Sequence, residues 1–150
     1  MKYIITKEQI IRMNQTVSNS YGKDSYLVDP ISLDQMVAET YAKDQNDNFY
    51  IYKNTLEKAA KMYSLFQINK PFEEYNEKTG LLYLLTMLDV NNMRIDTNDE
   101  ILLELMTGSG TYEEALDWIV KYCHLSKADE RMALDRYPNS YKKRLVRTYL

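Results

Sequence analysis

Between Asn76 and Asn91 the chain has almost no polar side to turn toward water: Leu81, Leu82, Leu84, Leu85, Met87 and Leu88 cover nearly every direction around a helix. The spacing predicts a helix over 76–91, and a helix apolar nearly all round is stable only when other elements enclose it. Burial of each large side chain contributes about 1.5–3 kcal/mol, so this segment is the expected central helix. The rest of the chain must supply its walls.

Those walls read as helices too. Thr6 with Gln9 forms a capping box, and Ile10, Met13, Val17 and Tyr21 follow at steps of three and four, ending near Tyr21-Gly22. Asp29-Pro30 and Ser32 open a second helix with Leu33, Met36, Val37, Thr40 and Tyr41 on one face. After the polar break Asp44 to Asn48, a third helix carries Leu56, Ala59, Ala60 and Tyr63 inward. Thr97 with Glu100 and Thr111 with Glu114 cap two more, separated by Gly108-Ser109-Gly110. The second aligns Tyr112, Ala115, Leu116, Ile119, Val120 and Cys123.

A hydrophobic content of 45% with only 4 Gly and 3 Pro suits such a succession, and the expected fold class is all-α. At 150 residues the chain can bury a core without covalent staples. Its single cysteine, Cys123, has no intramolecular partner and sits on an apolar face, which points to a core thiol and a reducing compartment. The start lacks an apolar stretch of signal-peptide length, and no run approaches ~20 apolar residues. A soluble, cytoplasmic protein with no membrane partner is expected.

The chemistry-bearing signal lies at the entrance to the 76–91 helix, in Asn69-Lys70-Pro71-Phe72-Glu73-Glu74-Tyr75-Asn76-Glu77-Lys78-Thr79. A helix N-terminus attracts phosphate through its free amides and dipole, most easily where a glycine lets the anion approach. Several side chains here oppose that use. Lys70, with an ordinary pKa of about 10.4, is a poor general base. Tyr75 crowds the backbone, Glu77 repels an anion, and Lys78 keeps a positive charge without arginine's bidentate fork. Glu73 and Glu74 could hold a metal between them, although adjacent acids at a helix entrance more often serve the dipole.

This segment resembles the Fic/Doc signature, which in one-letter code runs roughly H-P-F-x-[D/E]-G-N-[G/K]-R-T. Pro71, Phe72, Glu74, Asn76 and Thr79 match in type; Lys70 stands for the histidine, Tyr75 for the glycine, Glu77 for glycine or lysine, and Lys78 for the arginine. The likeness is to the Doc toxin branch and spans about residues 3 to 123. It includes the Thr6-Lys-Glu-Gln-Ile helix start, the apolar stretch from Leu82 to Asn92, and Leu103 to Gly110. It implies a Fic/Doc-like helical domain with a central buried helix.

In that family the histidine engages a target protein's hydroxyl, the acid holds magnesium, and the helix-start amides with Asn and Arg bind nucleotide phosphates. With those groups replaced, the resemblance implies a pseudoenzyme with no catalytic residue and no cofactor. It would act by binding a protein, such as a toxin or antitoxin of a bacterium or its phage. The active alternative requires ATP and Mg, with Glu74 on the metal, Asn76 and Lys78 on phosphates, and Lys70 in an electrostatic role, to transfer phosphate or AMP to a protein hydroxyl. The family's self-inhibitory pattern [S/T]-x-x-x-E-[G/N] is missing, since no Glu here precedes Gly or Asn.

Beyond residue 123 the resemblance stops, and 124–150 reads as a basic C-terminal helical extension. Seven Lys and Arg against three acids give this tail a formal charge of +4; the whole chain carries −3, which leaves −7 on the remainder. Such asymmetry marks either an interaction segment, with Lys142, Lys143, Arg144 and Arg147 as partner-binding candidates, or a helix docked through Tyr141, Leu145 and Tyr149. Tyr50 and Tyr52, in Phe49 to Tyr52, are further candidates. The resemblance puts them where a flap that aligns a target by strand addition would end. His124, the only histidine, reads as a surface or helix-end residue. With a net charge of −3 and no recognition motif, nucleic acid is an unlikely partner.

Overall fold

In the computed structural model, which describes residues 3–149 and side chains as far as Arg147, every regular element is a helix. The order is α1 (Lys7–Ser20), α2 (Pro30–Thr40), α3 (Thr55–Ile68), α4 (Asn76–Val90), α5 (Asp99–Met106), α6 (Tyr112–Tyr122), α7 (Lys127–Arg136) and α8 (Pro138–Tyr149). Among the described residues the only strand-like pairings are isolated antiparallel bridges, Leu27 with Phe72, Lys43 with Tyr50, and Ile95 with Cys123. No described helix is long and apolar enough to cross a membrane.

Most helix starts are the encoded ones. Thr6 and Gln9 exchange backbone-to-side-chain bonds of 2.8 and 3.2 Å, and Asp29 accepts the Ser32 amide at 3.0 Å ahead of Pro30. At α5 the cap falls one residue later than the expected Thr97, because Asn98 accepts the Ile101 amide at 2.9 Å. The inner stripe of α1 is also displaced. It runs through Ile10, Asn14 and Ser18, while Met13 and Val17 are half-buried and Tyr21 is exposed.

The expected centre was α4, but α3 is the more completely enclosed helix. All of α3 except Lys61, Gln67 and Ile68 is buried, whereas Leu81, Leu82 and Leu85 of α4 are only half-buried beside fully buried Tyr83, Leu84, Met87 and Leu88. Small residues explain this. Ala59, Ala60 and Ser64 let α2, α4 and α6 close around α3, and Gly80 of α4 lies where an added Cβ would stand 2.7 Å from the Phe66 Cβ.

Enclosure extends to the charged first turn of α3. Glu57 accepts the Arg136 Nε at 2.6 Å, a bond from the Tyr137 hydroxyl and the Lys53 amide at 2.9 Å; Asn54 donates to the Tyr137 oxygen at 2.8 Å. Burial pushes the Glu57 carboxyl up, but these donors together outweigh it and hold its pKa below the ordinary value. Lys58 is entirely buried, its ammonium donating to the Tyr52 carbonyl and lying 4.1 Å from the Tyr50 ring centroid. Burial, partly offset by Glu57, lowers its pKa. The tail is thus fastened to α3 through Arg136 and Tyr137, and to α6 through α8. Ala133 is fully buried and Tyr141 half-buried, Leu145 is 39% exposed, and Tyr149 lies outside the described side chains.

Gly80→Ala should destabilise the protein by about 1–3 kcal/mol in chemical denaturation, although alanine gains about 1 kcal/mol in helix propensity, because the Phe66 Cβ cannot move without its helix. Leu84→Ala should cost about 2–5 kcal/mol, and Leu85→Ala clearly less. Glu57 titrates below its ordinary value in the fold, so its contribution is present above that value and lost as pH falls through the folded one. Protection factors of the α7 amides, corrected for the pH dependence of intrinsic exchange, should therefore fall as pH drops below the ordinary carboxylate range, and Glu57→Gln should flatten that dependence.

Candidate functional site

The Lys70–Lys78 loop leaves α3 and enters α4 against two other parts of the chain. Segment 25–29 runs antiparallel to it: Val28 and Asp29 amides donate to the Pro71 carbonyl at 2.8 and 2.9 Å, and the Glu73 amide donates to the Tyr26 carbonyl at 2.9 Å. Glu74 is clamped at both ends of its peptide unit. Its amide donates to Ser25 Oγ at 3.1 Å, and its carbonyl accepts from Ser25 Oγ at 3.1 Å and from Asn14 Nδ2 at 2.9 Å. This explains the polar inner face of α1, since Asn14 also donates to Thr79 Oγ1 at 3.1 Å.

Tyr75, the residue before α4, has φ 63° and ψ 31°, in the left-handed region, and supplies no side-chain cap. For an L-residue that conformation costs about 1 kcal/mol, which is why glycine is the natural occupant. Here it is held by the Thr79 amide and hydroxyl, which donate to the Tyr75 carbonyl at 2.9 and 2.7 Å. The Tyr75 ring stacks on Tyr21 with centroids 5.0 Å apart and planes 6° from parallel. Lys78 donates to the Tyr21 hydroxyl at 2.7 Å.

Asn76 is buried, and its side chain is committed to the loop itself: Oδ1 accepts the Phe72 amide and Nδ2 donates to the Phe72 carbonyl, both at 2.9 Å. Phe72 is 2% exposed and anchors the loop in the core. An open cavity of about 430 Å³ elsewhere is larger, but the loop's own hollow of about 300 Å³ gathers Lys70, Glu73, Glu74, Asn76, Glu77 and Lys78. Three carboxylates against two ammonium groups give it a local charge of −1. These donors fit a magnesium–nucleotide pair poorly. The side-chain amide of Asn76 is committed to Phe72, the ammonium of Lys78 donates to the Tyr21 hydroxyl, and the Tyr75 ring stacks on Tyr21.

The other candidates are dispersed. Tyr50 lies between Lys58 and Lys43, and Tyr52 packs edge-on to Tyr112 at 5.4 Å, so both turn inward while Phe49 and Ile51 are exposed. They flank the first turn of α3, the opposite end from the loop, and the segment that pairs with the loop is 25–29. In the tail, Lys143 pairs with Asp117, and Arg144 donates to the Val120 carbonyl at 3.2 Å and to that of Cys123, closing the C-terminus of α6. Arg147 lies 4.9 Å from the Tyr122 ring centroid, and Lys142 is exposed. His124 contacts Asp96 at 3.1 Å on the surface. Cys123 is fully buried, which pushes its thiol up to about 12 and leaves it inert as a nucleophile.

The segment 25–29 and the clamp from Asn14 escaped sequence reasoning, because one bridge pair leaves no alternating pattern and a polar residue on an inner helical face breaks periodicity. Tyr75→Val should destabilise by more than about 1 kcal/mol, since a β-branched residue tolerates φ near +63° worst. Tyr75→Gly should lie near neutral, trading backbone strain for the lost ring stack; thermal unfolding of both variants checks the contrast. Compared with protein-family models, with curated proteins and with solved structures, the chain matches none.

Proposed function

We propose that the chain is a catalytically inactive, Fic/Doc-like protein that works by binding another protein, a toxin–antitoxin component or similar regulatory partner in a bacterium or its phage. The observation that carries this reading is the state of the α4 entrance. The polar groups suited to a phosphate, Asn76 and Lys78, are bonded to Phe72 and Tyr21, and the residue before the helix, where a glycine would leave the backbone open, is a tyrosine stacked on Tyr21. Lys70 stands at the position that the resembled motif gives to a histidine. A loop so firmly held and so poorly equipped for chemistry supports a role for its shape.

Purified protein incubated with magnesium, bacterial lysate and ATP labelled at the α or γ phosphate should transfer no label to protein. Labelling that disappears in Glu74→Ala would instead favour an active transferase of phosphate or AMP. Lys70→His, Tyr75→Gly, Glu77→Lys and Lys78→Arg combined should raise affinity for ATP by at least about tenfold, since they remove a ring and a negative charge and restore a bidentate cation. Calorimetric titration measures it.

A further inference from the structure

The outer face of α6 and α8 encloses a groove of about 510 Å³ lined by Lys121, Tyr122, Lys142, Lys143, Val146 and Arg147. Its floor is apolar, with Val146 56% exposed, and the Tyr122 ring carries Lys121 and Arg147 on it, each 4.9 Å from the centroid. Two carboxylates reach the rim. Glu104 holds Lys121 at 3.1 Å and the Tyr122 hydroxyl at 2.9 Å, and Asp117 holds Lys143. Lys142 and Arg147 have no carboxylate partner among the described residues. Four cations and two acids therefore leave the groove with a net charge of +2 on a chain of net charge −3.

We infer that this groove docks an acidic amphipathic segment of another protein, placing carboxylates on Lys142 and Arg147 and an apolar side chain on Tyr122 and Val146. Charge complementarity and the apolar floor jointly select that occupant. A polyanion such as nucleic acid would neutralise the rim, but its extended charge would meet the acidic remainder of the chain and leave the floor unused. The inference rests on the reading that the chain acts by binding protein, and it assigns the contact to the tail, away from the α4 entrance.

The full-length protein is titrated with a fluorescein-labelled peptide of alternating Glu and Leu pairs, with an all-Glu peptide of the same length, and with a single-stranded oligonucleotide. The Glu/Leu peptide should bind at least about fivefold more tightly than either of the others, and weaken as salt rises past about 0.1 M, where the screening length falls to about 10 Å. Lys142→Glu with Arg147→Glu should weaken it about tenfold, and the exposed Lys142→Gln alone about threefold, with helical content unchanged by circular dichroism. Equal binding of the two peptides, unchanged affinity in the folded variants, tighter binding of the oligonucleotide, or self-association through this face in sedimentation would each overturn the groove. Transfer of label from ATP would end the underlying reading without altering these affinities. Equal affinities would end the groove and leave that reading standing.

Discussion

A helix that surrenders nearly its whole surface to its neighbours must also bury whatever charges its sequence carries, and α3 carries Glu57 and Lys58 in its first turn. Neither ion is tolerable away from water unless its hydrogen-bonding capacity is filled locally. Glu57 takes its donors from α7 and from the residues just before α3; Lys58 takes the Tyr52 carbonyl and the Tyr50 ring. The position of the last two helices and the course of the 50–54 segment both follow from satisfying these two side chains. Polar contacts here specify where the chain must go, while the apolar contacts along Leu56, Ala59, Ala60 and Phe66 supply most of the driving force.

At the other end of α3 the same logic operates on the backbone of a loop. A turn from an extended strand-like segment into α4 strands amides and carbonyls that must be paired, and Ser25, Asn14, Asn76 and Thr79 pair them. Because those bonds fix Glu74 and Tyr75 so completely, the backbone tolerates a tyrosine in a conformation suited to glycine. The ring of Tyr75 then lies on Tyr21 and Lys78 bonds the same tyrosine. What the sequence presents as separate departures from a phosphate-binding pattern is, in three dimensions, one packed unit joining the end of α1 to the start of α4.

The helical class, the starts of α1, α2, α4 and α6 and much of the core were legible because caps and apolar periodicity are local signals, as at Thr6, Asp29 and Thr111. The centre was misplaced because all-round apolarity identifies a buried helix but does not rank two of them, and α3 hides its burial behind Glu57, Lys58 and Ser64. The loop's contacts with Asn14 and Ser25 join residues 49 to 60 positions apart, which no local pattern encodes. In Phe49 to Tyr52 the sequence indicated an aromatic segment without its phase. The structure turns Tyr50 and Tyr52 to the lysines and Tyr112, and leaves Phe49 and Ile51 outside.

The basic tail illustrates why formal charge alone does not separate packing from recognition. Of its cations, Arg136 is spent on Glu57, Lys143 on Asp117, and Arg144 on the carbonyls that end α6, so a large part of the +4 read from the sequence is consumed in docking α7 and α8. Lys142 is exposed beside Val146, and Arg147 lies over the Tyr122 ring at the seam between α6 and α8, neither with a carboxylate partner among the described residues. A helix that only neutralised an acidic body would direct its cations inward and its polar neutral residues outward. This one directs some cations each way, and keeps apolar area beside those facing solvent. Losing the charges of Lys142 and Arg147 need not detach α8, because its attachment runs through Tyr141, Lys143 and Arg144, although Lys143 also lines the groove between α6 and α8.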